Sequence, residues 1–135
     1  MSSVGCDERR FDERYRVTGG DVFLEIEREA LGTDYQANGY TTREQADEIG
    51  ELLDLGPGRR LLDLGSGCGW PGLHLARRHG CAVVSADPAP SGAATAAARA
   101  RRDRIDQHAS VIARGEALPF GPETFDAIVH VDVTC

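Results

Sequence analysis

The sequence predicts an α/β fold built on a parallel sheet, and three observations lead to this prediction. From residue 60 onward, short apolar runs alternate with helix-like stretches. The first of these runs leads directly into a glycine-rich segment, and the second ends in an acidic residue, Asp87. Alternating β and α elements of this length form parallel sheets with right-handed crossovers.

Composition narrows the class of protein. The chain has 135 residues, of which 41% are hydrophobic and 27% charged, as is typical of a globular domain. Its net charge of -7 argues against binding to nucleic acid. No apolar run approaches the ~20 residues of a membrane span, and the N-terminus does not resemble a signal peptide. We therefore expect a cytoplasmic protein with no membrane association. The four cysteines and four histidines form no metal-ligand spacing, so no metal site is predicted.

The first part of the chain, residues 1–57, is predicted to be a helical segment. Residues 1–20 alternate acids and arginines, which indicates a mobile or helical arm. Apolar residues at helical spacing predict a helix over 21–31, ended by Gly32.

A loop at 34–40 precedes a second predicted helix. Either Thr41 with Glu44 or Thr42 with Gln45 makes a capping box at its start. This helix is expected to continue until Gly56-Pro57 stops it.

The second part, residues 58–135, carries the alternating pattern. The pentad LLDLG occurs at 52–56 and again at 61–65, where it is too short for a helix before the next glycines. We therefore interpret the second copy as a buried strand. The predicted elements are strand one at 60–64, a helix at 71–78 with Pro71 at its first position, strand two at 82–86, a helix at 91–107, strand three at 110–113 and strand four at 125–133.

The glycine-rich segment is the strongest functional signal. Strand one runs into Gly65, Gly67 and Gly69, and these lead into a helix. Glycines let a ligand touch the backbone, and the helix N-terminus offers free N–H groups to an anion. In such folds the ligand lies beyond the carboxyl ends of the strands. A glycine turn without a ligand is the alternative.

Two acidic residues and one aromatic residue narrow the choice of ligand. The dinucleotide-binding pattern needs a glycine where this chain has Trp70. Asp63, two residues before the loop, would repel a pyrophosphate and suits a ligand with a cationic amine as well as a carboxylate. Asp87, at the end of strand two, can accept both hydroxyls of a ribose. Because it precedes a proline, Asp87 can also be read as a cap of a turn or helix.

The whole set of segments resembles the small-molecule "type 11" group of class I methyltransferases, which use S-adenosylmethionine. The segments LLDLGSGCGWPG, VVSADP, EALPF and FDAIVHVDV match motifs of that group in order and spacing, across residues 59–135. The resemblance implies a Rossmann-like parallel sheet, a cofactor-binding half at 58–135, and methyl transfer to a small-molecule acceptor. Residues 1–57 resemble the lid helices of the group only loosely.

The resemblance also implies specific residues. The cofactor-binding residues that it implies are Asp63, Gly65, Ser66, Gly67, Gly69, Asp87, Pro88, Glu116 and Ala117. One position departs from the group, because Arg114 stands where an acid usually meets the adenine amine. Either Glu116 or the backbone beside it takes this role, or adenine binding is weakened.

A catalytic base is optional in this chemistry, because the sulfonium is already an activated donor. His130 and then Asp132 are the candidates for one, and the alternative for His130 is a packed residue at the end of a strand. Tyr35, Tyr40 and Trp70 are either parts of a pocket wall or ordinary packing aromatics. The rival functions are a binding-only relic and an NAD-dependent oxidoreductase.

The chain ends where such folds usually continue, so we expect a sheet truncated after the fourth strand. Ile128, Val129, Val131 and Val133 would then be poorly covered. An open apolar edge favours self-association, marginal stability and little or no activity.

Overall fold

The computed structural model describes residues 8–37 and 39–132. The helices are α1 (Glu8–Val17), α2 (Asp21–Leu31), α3 (Arg43–Leu52), α4 (Gly72–His79) and α5 (Pro90–Arg102). The strands are β1 (Arg60–Leu64), β2 (Ala82–Asp87), β3 (His108–Ile112) and β4 (Ala127–Val129). None of the described helices has the length and hydropathy that crossing a membrane requires.

The four described strands form one parallel sheet in the order β3-β2-β1-β4. The chain builds outward from β1 to β3 and then returns to place β4 on the other side of β1. The direction of winding therefore reverses beside β1. In open α/β sheets, ligands bind at such a switch point, outside the carboxyl ends of the strands. The predicted parallel α/β fold is confirmed, and it puts the glycine-rich segment at this point.

The core lies around β1. Leu61 and Leu62, whose side chains point to opposite faces, are 0% and 1% exposed. Leu73 and Leu75 of α4 and Ala96 of α5 are also fully buried, at 0% exposure each. A strand covered on both faces reads as a continuous apolar run, which explains why the second LLDLG copy is a strand.

A capping box starts α3, and the structure decides which pair forms it. The Thr42 hydroxyl accepts the backbone N–H of Gln45 at 3.2 Å, and the Gln45 side chain accepts the backbone N–H of Thr42 at 2.9 Å. The helix stops at Leu52, because Asp54 adopts a left-handed conformation with φ 52°. The prediction that it continues to Gly56 is therefore wrong.

Other predicted element boundaries also differ from those in the structure. The helix predicted to reach residue 107 ends at Arg102, since Arg104 has φ 56° and the chain turns there toward β3. Pro71 is the N-cap of α4 and not its first helical residue. Strand four was predicted at 125–133, but only Ala127–Val129 pair with β1.

The cover of β4 differs between its two faces. Ile128 is 58% exposed, as expected for a poorly covered strand, whereas Val129 is 4% exposed and belongs to the core. Val131 is partly buried against the same core. The expectation of poor cover is thus wrong for Val129 and Val131, because Val129 belongs to the core cluster around β1 and Val131 packs against it. Val133 lies outside the described residues.

Candidate functional site

The glycine loop, residues 65–71, connects β1 to α4 at the carboxyl edge of the sheet. The backbone N–H groups of Gly65 and Ser66 both donate to the carbonyl of Ala86, at 2.7 and 3.2 Å, which ties the loop to the end of β2. Gly65, Gly67 and Gly69 have φ values of 77°, 53° and 107°. L-residues rarely adopt this left-handed region, so the path of the loop requires glycine.

Asp63, near the end of β1, fixes the point at which the glycine loop passes into α4. Its carboxylate accepts the backbone N–H of Gly72, the first residue of α4, at 2.8 Å, and the residue is 1% exposed. A Cβ on Gly72 would lie 2.6 Å from Asp63 Oδ2, so glycine is needed there for close approach. Burial raises the pKa of Asp63 to about 8; the charge of Asp87 adds to this effect, and the bond from Gly72 opposes it. The predicted contact of Asp63 with a ligand amine stays a prediction.

This buried carboxyl has a consequence for stability. Because its pKa rises from 3.8 to about 8 on folding, the folded chain holds a proton that the unfolded chain loses in this pH range. Stability therefore falls as the pH rises from about 4 to about 8. The Asp63→Asn substitution keeps an oxygen for the Gly72 N–H but removes the ionisation. We expect the thermal midpoint of this variant to fall less between pH 5 and pH 8.5 than that of the wild type.

The matched control for this pH experiment is Asp126→Asn. Asp126 is exposed and accepts the backbone N–H of Arg60 at 2.8 Å, at the opposite end of β1. The thermal midpoint of the Asp126→Asn variant, measured by circular dichroism, should depend on pH as that of the wild type does. The same pH dependence in both variants would show that Asp63 does not titrate as described.

Asp87 links the glycine loop to the turn before α5. One carboxylate oxygen accepts the backbone N–H of Gly67 at 2.7 Å, and the other accepts that of Ala89 at 2.9 Å. Asp87 is 5% exposed, and burial raises its pKa while these two bonds oppose the rise. Asp87 therefore does cap the turn before α5, as the alternative interpretation predicted. Each oxygen keeps a further lone pair for another donor, so capping and ribose binding are compatible. Pro88 follows in the same turn and is partly buried.

Helix α1 covers the glycine loop, which sequence reasoning did not predict beyond an arm. A Cβ on Gly67 would lie 2.9 Å from the Tyr15 hydroxyl, and one on Gly92 would lie 3.1 Å from the Tyr15 ring. Burial raises the pKa of the Tyr15 phenol, and the nearby charge of Asp87 adds to the rise. The Tyr15 ring is therefore packed between the glycine loop and the start of α5. The spacing of Phe11 and Tyr15, four residues apart, was the only sequence signal for an apolar side of α1.

The Asp12–Ser91 contact holds α1 in this position. The Asp12 carboxylate accepts the Ser91 backbone N–H at 2.7 Å, and the Ser91 hydroxyl donates to the Asp12 carbonyl at 2.9 Å. These residues are 79 positions apart in sequence, so no local pattern reveals the contact.

A small cleft of about 50 Å³ remains beside the glycine loop. Its walls come from α1, from the glycine loop and from residues of two other segments, which are Gln36, Ala37, Gly39, Val131 and Asp132. The Ser66 hydroxyl is buried there and, among the described residues, has no hydrogen-bond partner. The part of the chain that the structure describes has no group of three or more His, Cys, Asp or Glu side chains that could hold a metal ion.

The two candidate bases lie in different environments. Asp132 lines the cleft and accepts the backbone N–H of Thr41 at 3.0 Å. Burial pushes its pKa upward, but hydrogen bonds from Thr41 and Tyr40 outweigh burial and lower the pKa. His130 is exposed and does not line the cleft. Its Nδ1 lies 2.7 Å from the carbonyl of Leu64, so Nδ1–H donates to that carbonyl.

The segment predicted to meet the adenine lies on the surface. Glu116 and Arg114 are 74% and 60% exposed at the side chain, and their charged groups lie 3.9 Å apart. Ala117 donates its backbone N–H to the Arg114 carbonyl at 3.0 Å, which forms a turn. Neither Glu116 nor Ala117 lines the cleft, so their adenine role stays a prediction.

The aromatic residues separate into two groups. Tyr35 and Trp70 are buried, with ring centroids 5.2 Å apart, and they belong to the core. Trp70 also lines the cleft. Tyr40 is 89% exposed and directly precedes Thr41, whose backbone N–H donates to Asp132.

Comparison with known proteins decides the family. Residues 61–135 match the family described as "Methyltransferase domain". The chain belongs to the class I, S-adenosylmethionine-dependent methyltransferases. This confirms the resemblance to class I methyltransferases that the motifs indicated.

Two curated relatives share part of their length with this methyltransferase domain. The 24-methylenesterol C-methyltransferase 2 of Oryza sativa subsp. japonica is 30% identical over 95 residues, which are 70% of this chain and 26% of the relative. Methyltransferase GfsG of Streptomyces halstedii is 31% identical over 87 residues, which are 64% of this chain and 31% of the relative. The chain thus spans about a quarter to a third of the length of these relatives.

A solved structure agrees in fold. The S-adenosylmethionine-dependent methyltransferase of Geobacter sulfurreducens, crystallised with S-adenosyl-L-homocysteine, superposes with a TM-score of 0.61 at 28% identity. The matched part covers 81% of this chain and 42% of that protein.

Proposed function

We propose that this chain binds S-adenosylmethionine at the glycine loop and transfers its methyl group to a small-molecule acceptor. The observation that carries the proposal is the glycine loop itself. Three left-handed glycines follow β1 at the switch point of the sheet, and Asp87 holds the backbone of Gly67 from the end of β2. In open α/β sheets, ligands bind at this carboxyl edge of the strands, beside the switch point.

The residues at the loop fit such a cofactor. The Ser66 hydroxyl, buried and without a partner among the described residues, offers a hydrogen bond to a carboxylate. Gly65 and Gly67 line the cleft and leave the backbone open to the methionine part, whereas Gly69 belongs to the set by letting the loop pass close to Leu73. Asp87 has lone pairs for two ribose hydroxyls. Asp63, Pro88, Glu116 and Ala117 complete the proposed set, Asp63 by holding the loop in place. When bound, the cofactor supplies a methyl group already activated by its sulfonium.

The chain's own residues then orient the acceptor and exclude water. Where the acceptor atom carries a proton, His130 is the proposed base: it lies outside the cleft, but its Nδ1–H donates to Leu64, the last residue before the glycine loop, and Nε2 is left to accept. The lowered pKa of Asp132 makes it a weaker base, and its bond to Thr41 suits it to positioning the loop. One curated relative is named as a sterol C-methyltransferase, which supports a small organic molecule as the acceptor.

Calorimetric titration tests the proposal. The chain should bind S-adenosylhomocysteine saturably and should not bind NAD. Binding of NAD, or of neither compound, would contradict the assignment. Methyl transfer to a panel of small acceptors then separates a methyltransferase from a protein that only binds the cofactor.

The position of Tyr15 leads to a kinetic prediction. The cleft of about 50 Å³ is well below the roughly 300–1,000 Å³ of small-molecule sites, and we propose that Tyr15 moves away from the loop when the cofactor enters. The Tyr15→Ala substitution removes the ring packed on Gly67 and Gly92. We expect S-adenosylhomocysteine to associate several-fold faster with this variant in stopped-flow measurements.

Phe120→Ala is the control for this measurement. Phe120 packs edge-on against Phe125 with ring centroids 5.0 Å apart, and it does not line the cleft. Its substitution should leave the association rate unchanged. Equal rates for the wild type and the Tyr15→Ala variant would show that Tyr15 does not limit entry.

A further inference from the structure

A pocket of about 420 Å³, the arginine pocket, lies between α3, α4 and the segment that follows α2. Its wall carries three arginines, one histidine and one acid, which are Arg43, Arg77, Arg78, His74 and Asp34. The chain as a whole has a net charge of -7, so this excess of positive charge is local. The volume is within the range of about 300–1,000 Å³ for small-molecule sites. Of the described residues, only Trp70 lines both this pocket and the cleft beside the glycine loop.

Two helices bring the positive charges together. His74, Arg77 and Arg78 lie on one face of α4, because residues three and four positions apart are neighbours on a helix. Arg43 is the first residue of α3. Basic residues in the last turn of a helix complement its dipole, which accounts for Arg77 and Arg78. The same dipole opposes a cation in the first turn, so the stability of α3 does not account for Arg43.

The acid nearest to these helices compensates only part of the positive charge. Asp47 pairs with His74 at 2.6 Å and with Arg78 at 3.4 Å. Arg43 is within electrostatic range of Asp47 but does not bond to it. Arg77 forms no ion pair with an acid in the part of the chain that the structure describes. Two guanidinium groups of the pocket are therefore available to an anion.

Two other acids near the pocket are bound to arginines outside its lining. Asp34 pairs with Arg28 at 3.2 Å, and Arg99 lies 3.8 Å from its other carboxylate oxygen. Asp103 bonds to Arg102 at 2.9 Å. The negative charge of both acids is thus offset by these arginines, and the pocket keeps its positive character.

Two buried donors in the pocket wall lack a partner. The Thr33 hydroxyl and the Trp70 indole N–H make no hydrogen bond within the described chain, and the two residues are 7% and 6% exposed. Buried polar groups are normally hydrogen-bonded, and an indole N–H can only donate. Both groups therefore need an acceptor, which is what the oxygens of an anion supply.

We propose that the arginine pocket binds the phosphate groups of a small molecule. Guanidinium groups match phosphate oxygens with paired hydrogen bonds. Three of them on two helices favour a phosphate or diphosphate over a single carboxylate. The volume and the net charge of -7 favour a small molecule over a nucleic acid, which binds to an extended positive surface. The site is separate from the proposed cofactor site, and its test does not depend on cofactor binding.

Calorimetric titration with inorganic pyrophosphate at constant ionic strength tests the arginine pocket. The 135-residue chain is compared with its Arg77→Gln and Arg101→Gln variants. Both arginines are exposed and lie in the last turn of a helix, but Arg101 does not line the pocket, so the substitutions are matched in charge and position. We expect the wild type to bind pyrophosphate saturably and Arg77→Gln to bind it roughly fivefold or more weakly. Arg101→Gln should bind it as the wild type does.

Two further variants locate the bound anion. Arg43→Gln removes a guanidinium from the other helix of the pocket, so it should also weaken the binding of pyrophosphate. Ser66→Ala changes the cleft beside the glycine loop and should leave this affinity unchanged. A wild type without saturable binding, or equal losses in Arg77→Gln and Arg101→Gln, would overturn the proposal. Affinity lost in Ser66→Ala but kept in Arg77→Gln would also overturn it, by locating the anion at the glycine loop.

Discussion

We expect the Gly67→Val substitution to abolish binding of S-adenosylhomocysteine. Gly67 has φ 53°, which is an outlier for a β-branched residue and costs roughly 1–2 kcal/mol even for ordinary L-residues. A side chain there would also meet the Tyr15 hydroxyl at 2.9 Å and occupy the space above the loop. The backbone strain should lower stability, whereas the side chain in the space above the loop should lower the affinity by about 100-fold or more, measured by calorimetric titration.

Gly58→Val is the matched control for this variant. Gly58 has φ 83°, so valine meets a comparable backbone penalty there, but no atom lies within 4 Å of the added Cβ. This control should lose some stability and keep its affinity. If the Gly67→Val variant bound with unchanged affinity and a native circular dichroism spectrum, the glycine loop would not be the cofactor site.

The second large effect is expected at Asp87. The Asp87→Ala substitution removes the acceptors for the N–H groups of Gly67 and Ala89 at once. Each buried N–H left unpaired costs about 1–3 kcal/mol, so the variant should be clearly less stable. The proposed bonds to the ribose are lost as well. We therefore expect the affinity for S-adenosylhomocysteine to fall at least about tenfold.

A ribose ligand and a simple turn cap predict different effects of the Asp87→Ala substitution on cofactor affinity. Asp126→Ala also removes a carboxylate that accepts a backbone N–H, that of Arg60, but at the far end of β1. It should lower the melting temperature without changing the affinity. If Asp87→Ala behaved in the same way, with its affinity within about twofold of the wild type, Asp87 would be a cap only and not a ribose ligand.

Local patterns predicted the central part of the fold well. The bounds of β1 and α2 agree with the prediction, because an apolar run before glycines and an apolar stripe before Gly32 are signals within a few residues. The capping box of Thr42 was also visible, since it joins residues three positions apart. The ends of α3 and α5 were missed, because Asp54 and Arg104 turn the chain in conformations that their residue types do not announce.

The surroundings of the candidate site could not be predicted in the same way. Tyr15 reaches the glycine loop because Asp12 bonds Ser91, and Asp132 reaches the cleft through its bond to Thr41, 91 positions away in sequence. The burial of Glu27 in place of Ile26 depends on the position of the Tyr35 backbone. Periodicity reports which residues are apolar, but it does not report what will cover them.

The sequence by itself determined the succession of strands and helices along the chain from β1 onward, the glycine loop after β1 and the acid at the end of β2. It also determined the methyltransferase family that these features indicate. These features are encoded by residues close together in the chain, where backbone conformation and apolar spacing are decided. Only the tertiary structure decided that Asp63 lies buried beneath α4, that Tyr15 covers Gly67, and that the apolar stripe of α2 faces outward. Each of these depends on contacts between distant segments, which form only when the sheet and its helices have packed.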